Sequence, residues 1–118
     1  MTTQEIATTL VGLLRAGNFE EAQKKLLAQD AVSIEPNATF FPKETVGLAN
    51  ILNKGAKFRE GIEKVNSLTI SEPLVAGNTI ALTFTLDADF KGNGKVVFTE
   101  VCVFLVSDGK IVQEVYYY

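Results

Sequence analysis

The 118-residue sequence has no histidine and no tryptophan, and only one cysteine and three prolines. Without histidine there is no Ser–His–Asp or Cys–His nucleophilic site, no imidazole base and no imidazole-held metal. The lone Cys102 closes no internal disulfide and makes no Cys-x-x-Cys motif. Any chemistry falls to carboxylates, tyrosines, lysines, that thiol or backbone groups. Long hydrophobic runs are missing too. The longest, Val101 to Val106, is far short of the roughly 20 residues a membrane helix needs. Eleven Lys and Arg against 14 Asp and Glu give a net charge of −3. The cations are scattered, so no basic face offers itself to nucleic acid. Met1 to Glu5 lacks the basic start and apolar run of a secretory signal. A cytoplasmic protein without membrane or nucleic-acid partners is expected.

What is present is ordinary globular material, 47% apolar and 21% charged, at a length that suits one domain over residues 1–118. Thr2-x-x-Glu5 has the spacing of a capping box. Ile6, Leu10, Leu13 and Leu14 follow as one helical stripe, and Gly17 is a natural stop. Asn18-x-x-Glu21 reopens a helix with Phe19, Ala22, Gln23, Leu26 and Leu27 on one side. Residues 31–35 read as a short strand ended by Pro36, and 36–45 as a loop whose Phe40 and Phe41 are expected to tuck inward. A third helix is expected from Val46 to Ile62, weakened by Gly47, Gly55 and Gly61. Gly55 lies on its apolar side, where a missing side chain lets another element come close.

The rest reads as strand: Val65 to Val75, Thr79 to Phe90, Lys95 to Ser107 and Lys110 to Tyr118. Gly77-Asn78, Gly92-Asn93-Gly94 and Asp108-Gly109 separate them, residues that supply the positive φ of tight hairpins. Strands this long bend and wrap. The expected fold is α+β, ordered α-α-β-α-β-β-β-β, with three helices on a curved antiparallel sheet. Alternation puts Ile80, Leu82, Phe84, Leu86 and Phe90 on one face of their strand and polar residues on the other. In the next strand Val96, Phe98, Cys102, Phe104 and Val106 share one face, and Val97, Val101, Val103 and Leu105 the other. Both faces need cover, and three short helices cover one. A homodimer through the sheet is the expectation.

Individual residues carry sharper possibilities. Glu100, in an apolar strand, costs several kcal/mol if buried unpaired. It meets a Lys or Arg, lies at an interface, or is a pocket acid with a raised pKa. Cys102 reads as a small buried hydrophobe, since nothing nearby lowers its pKa. Asp87 and Asp89 lack the further ligands a hard cation needs. Gly92-Asn93-Gly94-Lys95 lacks the spacing and following helix of a phosphate loop. Neither metal nor cofactor is implied. Tyr116, Tyr117 and Tyr118 cap the sheet, with alternate rings facing pocket and outside. An apolar pocket lined by Phe40, Phe41, Phe58, Cys102 and Tyr116 is expected to hold a small apolar molecule.

With the order of elements, Gly17-Asn18, Asp30-Ala31 and the terminal Asp108-Gly109-Lys110-Ile111, nearly the whole chain resembles the nuclear transport factor 2-like superfamily. The nearest branch is that of SnoaL-like cyclases and ketosteroid isomerases. The resemblance implies a cone-shaped fold around an apolar pocket, often a dimer through the sheet. Its functions span isomerases, cyclases and non-catalytic binding proteins. In the isomerase branch the general base is an Asp before a Pro at the end of the first strand, a position that falls on Glu35-Pro36. The helix-one Tyr donor falls near Leu10, which donates nothing, and the protonated Asp donor near Cys102, with Glu100 on the same strand face. The final-strand His and Asp of the cyclases fall on Gln113 to Tyr116, which lack them. The resemblance therefore implies three options. One is a binder of a small apolar molecule. Another is a cofactor-independent isomerase, cyclase or dehydratase with Glu35 as base and Glu100 as a second carboxyl. The third is a non-catalytic dimeric interaction protein.

Overall fold

The computed structural model describes residues 1–118. It opens with α1 (Thr3–Arg15) and α2 (Phe19–Leu26). The Thr2–Glu5 capping box is formed in both directions, at 3.1 and 2.8 Å. Gly17 takes a φ of +76° between the helices. Asn18 caps α2 without using its side chain.

β1 (Leu27–Ile34) starts directly after α2, earlier than alternation alone suggests. Across the end of the expected loop and the expected start of the third helix, β2 (Glu44–Val46) pairs antiparallel with β1. α3 (Leu48–Glu60) is shorter than expected because Gly47 and Gly61 are its caps, not interior residues. Gly47 needs to be glycine: its φ is +92°, and its N–H donates to the Ala31 carbonyl at 2.8 Å.

The remaining strands are β3 (Ile62–Ile70), β4 (Leu74–Ala76), β5 (Thr79–Phe90), β6 (Gly94–Ser107) and β7 (Lys110–Tyr117). The sheet order is β2-β1-β7-β6-β5-β3, with β4 also paired to β5. One expectation needs correction: the sheet is mixed, not purely antiparallel, because β1 runs parallel to β7. A parallel pair needs a long crossover, and everything from β2 to β6 supplies it. Bulges in β3, β7's pairing with β6, and β1 bend the sheet.

The helices cover one face. Ile6, Leu10, Ala22, Leu26 and Ile51 pack there against Ile80, Leu82, Phe104 and Ile111. The opposite face stays open, with Val97, Val101, Tyr117 and Leu74 at 53, 42, 55 and 75% exposure. No helix is long and apolar enough to cross a membrane.

Candidate functional site

Between helices and sheet lies a cavity of about 160 Å³. Leu10, Leu14, Phe19 and Ala22 line it from α1 and α2, and Phe41 and Phe58 from the loop and α3. Phe84, Phe98 and Phe104 supply the sheet side. A dry cavity of roughly 150 Å³ accommodates a benzene molecule, so this partly open space holds about one ring. Beyond Phe41 and Phe58 it adjoins an open groove of about 920 Å³ reaching Phe40, Asn50 and Phe90.

One end is aromatic. The Phe58 ring lies 5.7 Å from Phe41, 5.6 Å from Phe90 and 5.4 Å from Phe98, with tilted or edge-on contacts. Phe40 does not join them. It is 66% exposed and reaches only the edge of Phe98, at 6.0 Å, on the groove side. The chain bends through this loop, and it turns Phe41 toward Phe58 while leaving Phe40 outside.

The other end is polar, and the strand registers build it. Ser33 of β1 is paired beside Glu114 of β7, and Phe104 of β6 lies across from Glu114. Cys102 pairs with Tyr116, and Glu100 with Phe84 of β5. Alternation turns Glu100, Cys102, Glu114, Tyr116 and Tyr118 to the cavity, and Glu35 follows the end of β1 into the same strip. α3 adds Lys54, one turn before Phe58.

The three carboxyls have different surroundings. Glu35 is 3% exposed. The Lys54 ammonium donates to its Oε2 at 3.1 Å, and the Tyr118 hydroxyl to its Oε1 at 2.8 Å. Lys54 also donates to Ser33 Oγ at 2.7 Å. Glu100 has only the Cys102 thiol, which donates at 3.8 Å. Burial, and then the Glu35 charge, raise the Glu100 pKa to about 7. Glu114 is 2% exposed and its Oε1 has no partner. Burial raises its pKa as well, against lowering contributions from the Tyr116 hydroxyl, Lys54 and Ser33. Burial likewise pushes up the Cys102 thiol and the Tyr116 hydroxyl, which removes Cys102 as a ready nucleophile. Another acceptor without a partner, Gln23 Oε1, lines the wall from α2. A methyl group on Gly55 would stand 3.5 Å from it and 3.0 Å from Arg59 Nη1, so the glycine admits both side chains.

No group of three His, Cys, Asp or Glu side chains is arranged to hold a metal ion. Sequence reasoning missed Lys54, Ser33 and Glu114, and it gave Gln23 and Tyr118 the right side of their elements without a role. For Lys54 a signal existed: it lies three residues after Ile51 and four before Phe58, on the apolar side of the helix.

A family model for the SnoaL-like domain matches residues 1–118. A Mesorhizobium loti crystal structure, provisionally named a SnoaL-like polyketide cyclase, is 32% identical, with 100% of both chains covered and a TM-score of 0.92. A Catenulispora acidiphila protein with a ketosteroid isomerase-like fold, in complex with trimethylamine, is 20% identical. That likeness covers 99% of this chain and 87% of the other, at a TM-score of 0.74. An NTF2-like protein of unknown function from Burkholderia pseudomallei is 14% identical over 100% of this chain and 92% of the other, at a TM-score of 0.79. These last two bear on the fold alone. No curated protein matches the chain.

Proposed function

This chain belongs to the SnoaL-like domain family, and from that premise we propose that it binds one small, mostly apolar molecule in its interior. The supporting observation is the contrast inside one cavity: ring-sized apolar walls ending in a strip of three carboxyls. Ligand sites combine apolar lining with a few converging polar groups in this way. A four-ring body exceeds this volume, so a larger ligand would extend past Phe41 into the groove. Thermal shift with a panel of one-ring amines, alcohols, ketones and acids tests the reading. A ligand at about 100 times its Kd should stabilise the fold by ~2.7 kcal/mol, a shift of several degrees. A panel that moves nothing would sink it.

Glu100 favours a second reading, proton-transfer catalysis of the isomerase, cyclase or dehydratase kind. A general acid or base works best with a pKa near the working pH, and Glu100 sits at about 7. Glu35 has both carboxylate oxygens engaged by Lys54 and Tyr118, which leaves Glu100, raised by burial and then by the Glu35 charge, as the carboxyl free to exchange a proton. If turnover of an enolisable one-ring ketone is found, Glu100→Gln should lower it by about 10²–10⁴-fold. An unchanged rate and pH profile in that variant would end this assignment.

The open sheet face supports a homodimer. Contiguous exposed apolar surface marks an interface, and Val97, Val101, Tyr117 and Leu74 share that side. Light scattering should give twice the 12.8 kDa chain mass, and a monomer at micromolar concentration would defeat the idea.

A further inference from the structure

The hydrogen-bonding capacity left over in the cavity is one-sided. Glu114 Oε1 is buried without a partner, and so is Gln23 Oε1. Glu100 has one weak thiol contact for two oxygens. The cavity's ammonium, by contrast, is committed to Ser33 and Glu35. A buried acceptor without a partner is costly; the two raised carboxyls meet that cost in the free protein by holding a proton, and a donor from a ligand would meet it in their ionised form. We propose that the ligand of this cavity is a protonated amine on a body of about one ring, its N–H groups meeting Glu100 and Glu114. This rests on the interior being a small-molecule site and adds the chemistry of the ligand's head group.

Charge selects ammonium over hydroxyl. Lys54 balances one carboxylate, Glu35, which leaves two carboxyls with no cation of their own. Charge-assisted hydrogen bonds to a carboxylate are about twice as strong as neutral ones. The rings also suit a cation: Lys54 Nζ already lies 5.6 Å from the centroids of both Phe41 and Tyr116. Everything charged or titratable around Glu100 enters the balance. That includes Glu35 from β1, Lys54 and Arg59 from α3, Cys102 beside it, and Glu114, Tyr116 and Tyr118 from β7. Among them Arg59 is the other donor-rich group, and its guanidinium lies beside Gly55 on the same helix, α3, on the side where Gln23 of α2 approaches.

Binding then carries a proton signature. Free Glu100 is about half protonated near pH 7. An ammonium beside it favours the carboxylate, so the carboxyl proton passes to the buffer. The test is calorimetry with benzylamine, benzyl alcohol and benzoate at pH 6 and pH 8, each in two buffers of different ionisation enthalpy. Benzylamine should bind at least tenfold tighter than benzyl alcohol at pH 8, weaken toward pH 6, and release protons near pH 7, because Glu114, raised by burial, gives one up along with Glu100. Benzoate should bind worst. Glu100→Gln and Glu114→Gln should each weaken benzylamine at least tenfold more than they weaken benzyl alcohol. Benzyl alcohol or benzoate binding as tightly as benzylamine would overturn the amine assignment while leaving the pocket standing. Failure of all three to bind would overturn the pocket, and the amine with it.

Discussion

The aromatic end of the cavity is built from partly buried rings and the polar end from carboxyls that are more deeply buried, and the two are stabilised differently. At the aromatic end Phe41, Phe58, Phe90 and Phe98 satisfy one another through tilted and edge-on contacts, geometry that adds about 0.5–1.5 kcal/mol per pair beyond burial. At the polar end only Glu35 is fully provided for, while Glu100 and Glu114 sit in low dielectric with too few donors. A rigid wall beside a half-satisfied polar strip is how a site differs from a core. Natural sequences relax the rules of foldability at such places.

The strongest way to break the contrast is to make the polar end worse. Lys54→Met leaves Glu35 buried without its cation, and stranding one member of a buried ion pair costs about 3–5 kcal/mol. Denaturant unfolding should show that loss. Lys54→Met combined with Glu35→Gln should recover most of it, because the orphaned charge goes too. A single variant as stable as the parent would mean that the pair does not hold this end together.

At the aromatic end Phe58→Ala removes the ring that touches three others. Phe58 is only partly buried, so the cost should fall near 3 kcal/mol, at the low end for large-to-small core changes. The same truncation enlarges the cavity toward the groove. Two-ring ligands should then gain affinity over one-ring ligands, and an unchanged size preference would argue that Phe58 does not divide the two spaces.

Titration sharpens the comparison, since only the polar end responds to pH. Glu100 has a higher pKa folded than its ordinary 4.5, at about 7. The folded state therefore holds that proton more tightly than the unfolded chain does. The contribution is whole below pH 4.5 and is lost as pH rises through 7. Glu114, raised by burial, acts in the same direction. Glu100→Gln removes the Glu100 part, and at about 1.4 kcal/mol per pKa unit, less some screening of a carboxyl that is partly exposed, the variant should gain roughly 3 kcal/mol over the parent above pH 8. Below pH 4.5 the two should nearly coincide. Parallel stability curves across that range would count against a buried, cation-poor Glu100.

The two ends also differ in how far they can be read from the chain. Alternation of period two puts Phe98, Glu100, Cys102 and Phe104 on one strand face, and they share it in the fold. That pattern is local, and so is the capping box at Thr2 and Glu5. The polar strip depends on what is not local. Ser33 and Glu35 reach Glu114 and Tyr118 only because β1 lies parallel to β7, some 80 residues away in sequence. A bulge between Leu105 and Val106 shifts the register along β7. Lys54 is marked as unusual by its place on the apolar side of α3, but its partner is not, until Glu35 is seen to lie beneath it. β2, hidden in a loop with two prolines, exists because β1 offers it an edge. Pairing partners decided these features, and no single segment announces its partner.

Tyr118 offers the mildest test, because it touches the polar end from outside. Its hydroxyl donates to Glu35 Oε1 at 2.8 Å, while the residue is 44% exposed. Burial and the Glu35 hydrogen bond both raise its pKa, so it stays a neutral donor throughout the working range. Tyr118→Phe keeps the ring and removes that donor. Water can reach a half-exposed position and replace part of the lost bond, so the cost should be about 1 kcal/mol, within the usual net value of a hydrogen bond. The more telling effect is on the neighbour. Glu35, short of one donor, should pull harder on Lys54 and disturb Glu100 slightly through its charge. The apparent pKa of Glu100, followed by carboxyl carbon NMR, should therefore move by a few tenths of a unit, while the same measurement in Phe90→Leu stays put. A Tyr118→Phe variant that leaves both stability and the Glu100 titration untouched would show that the C-terminal tyrosine only covers the strip.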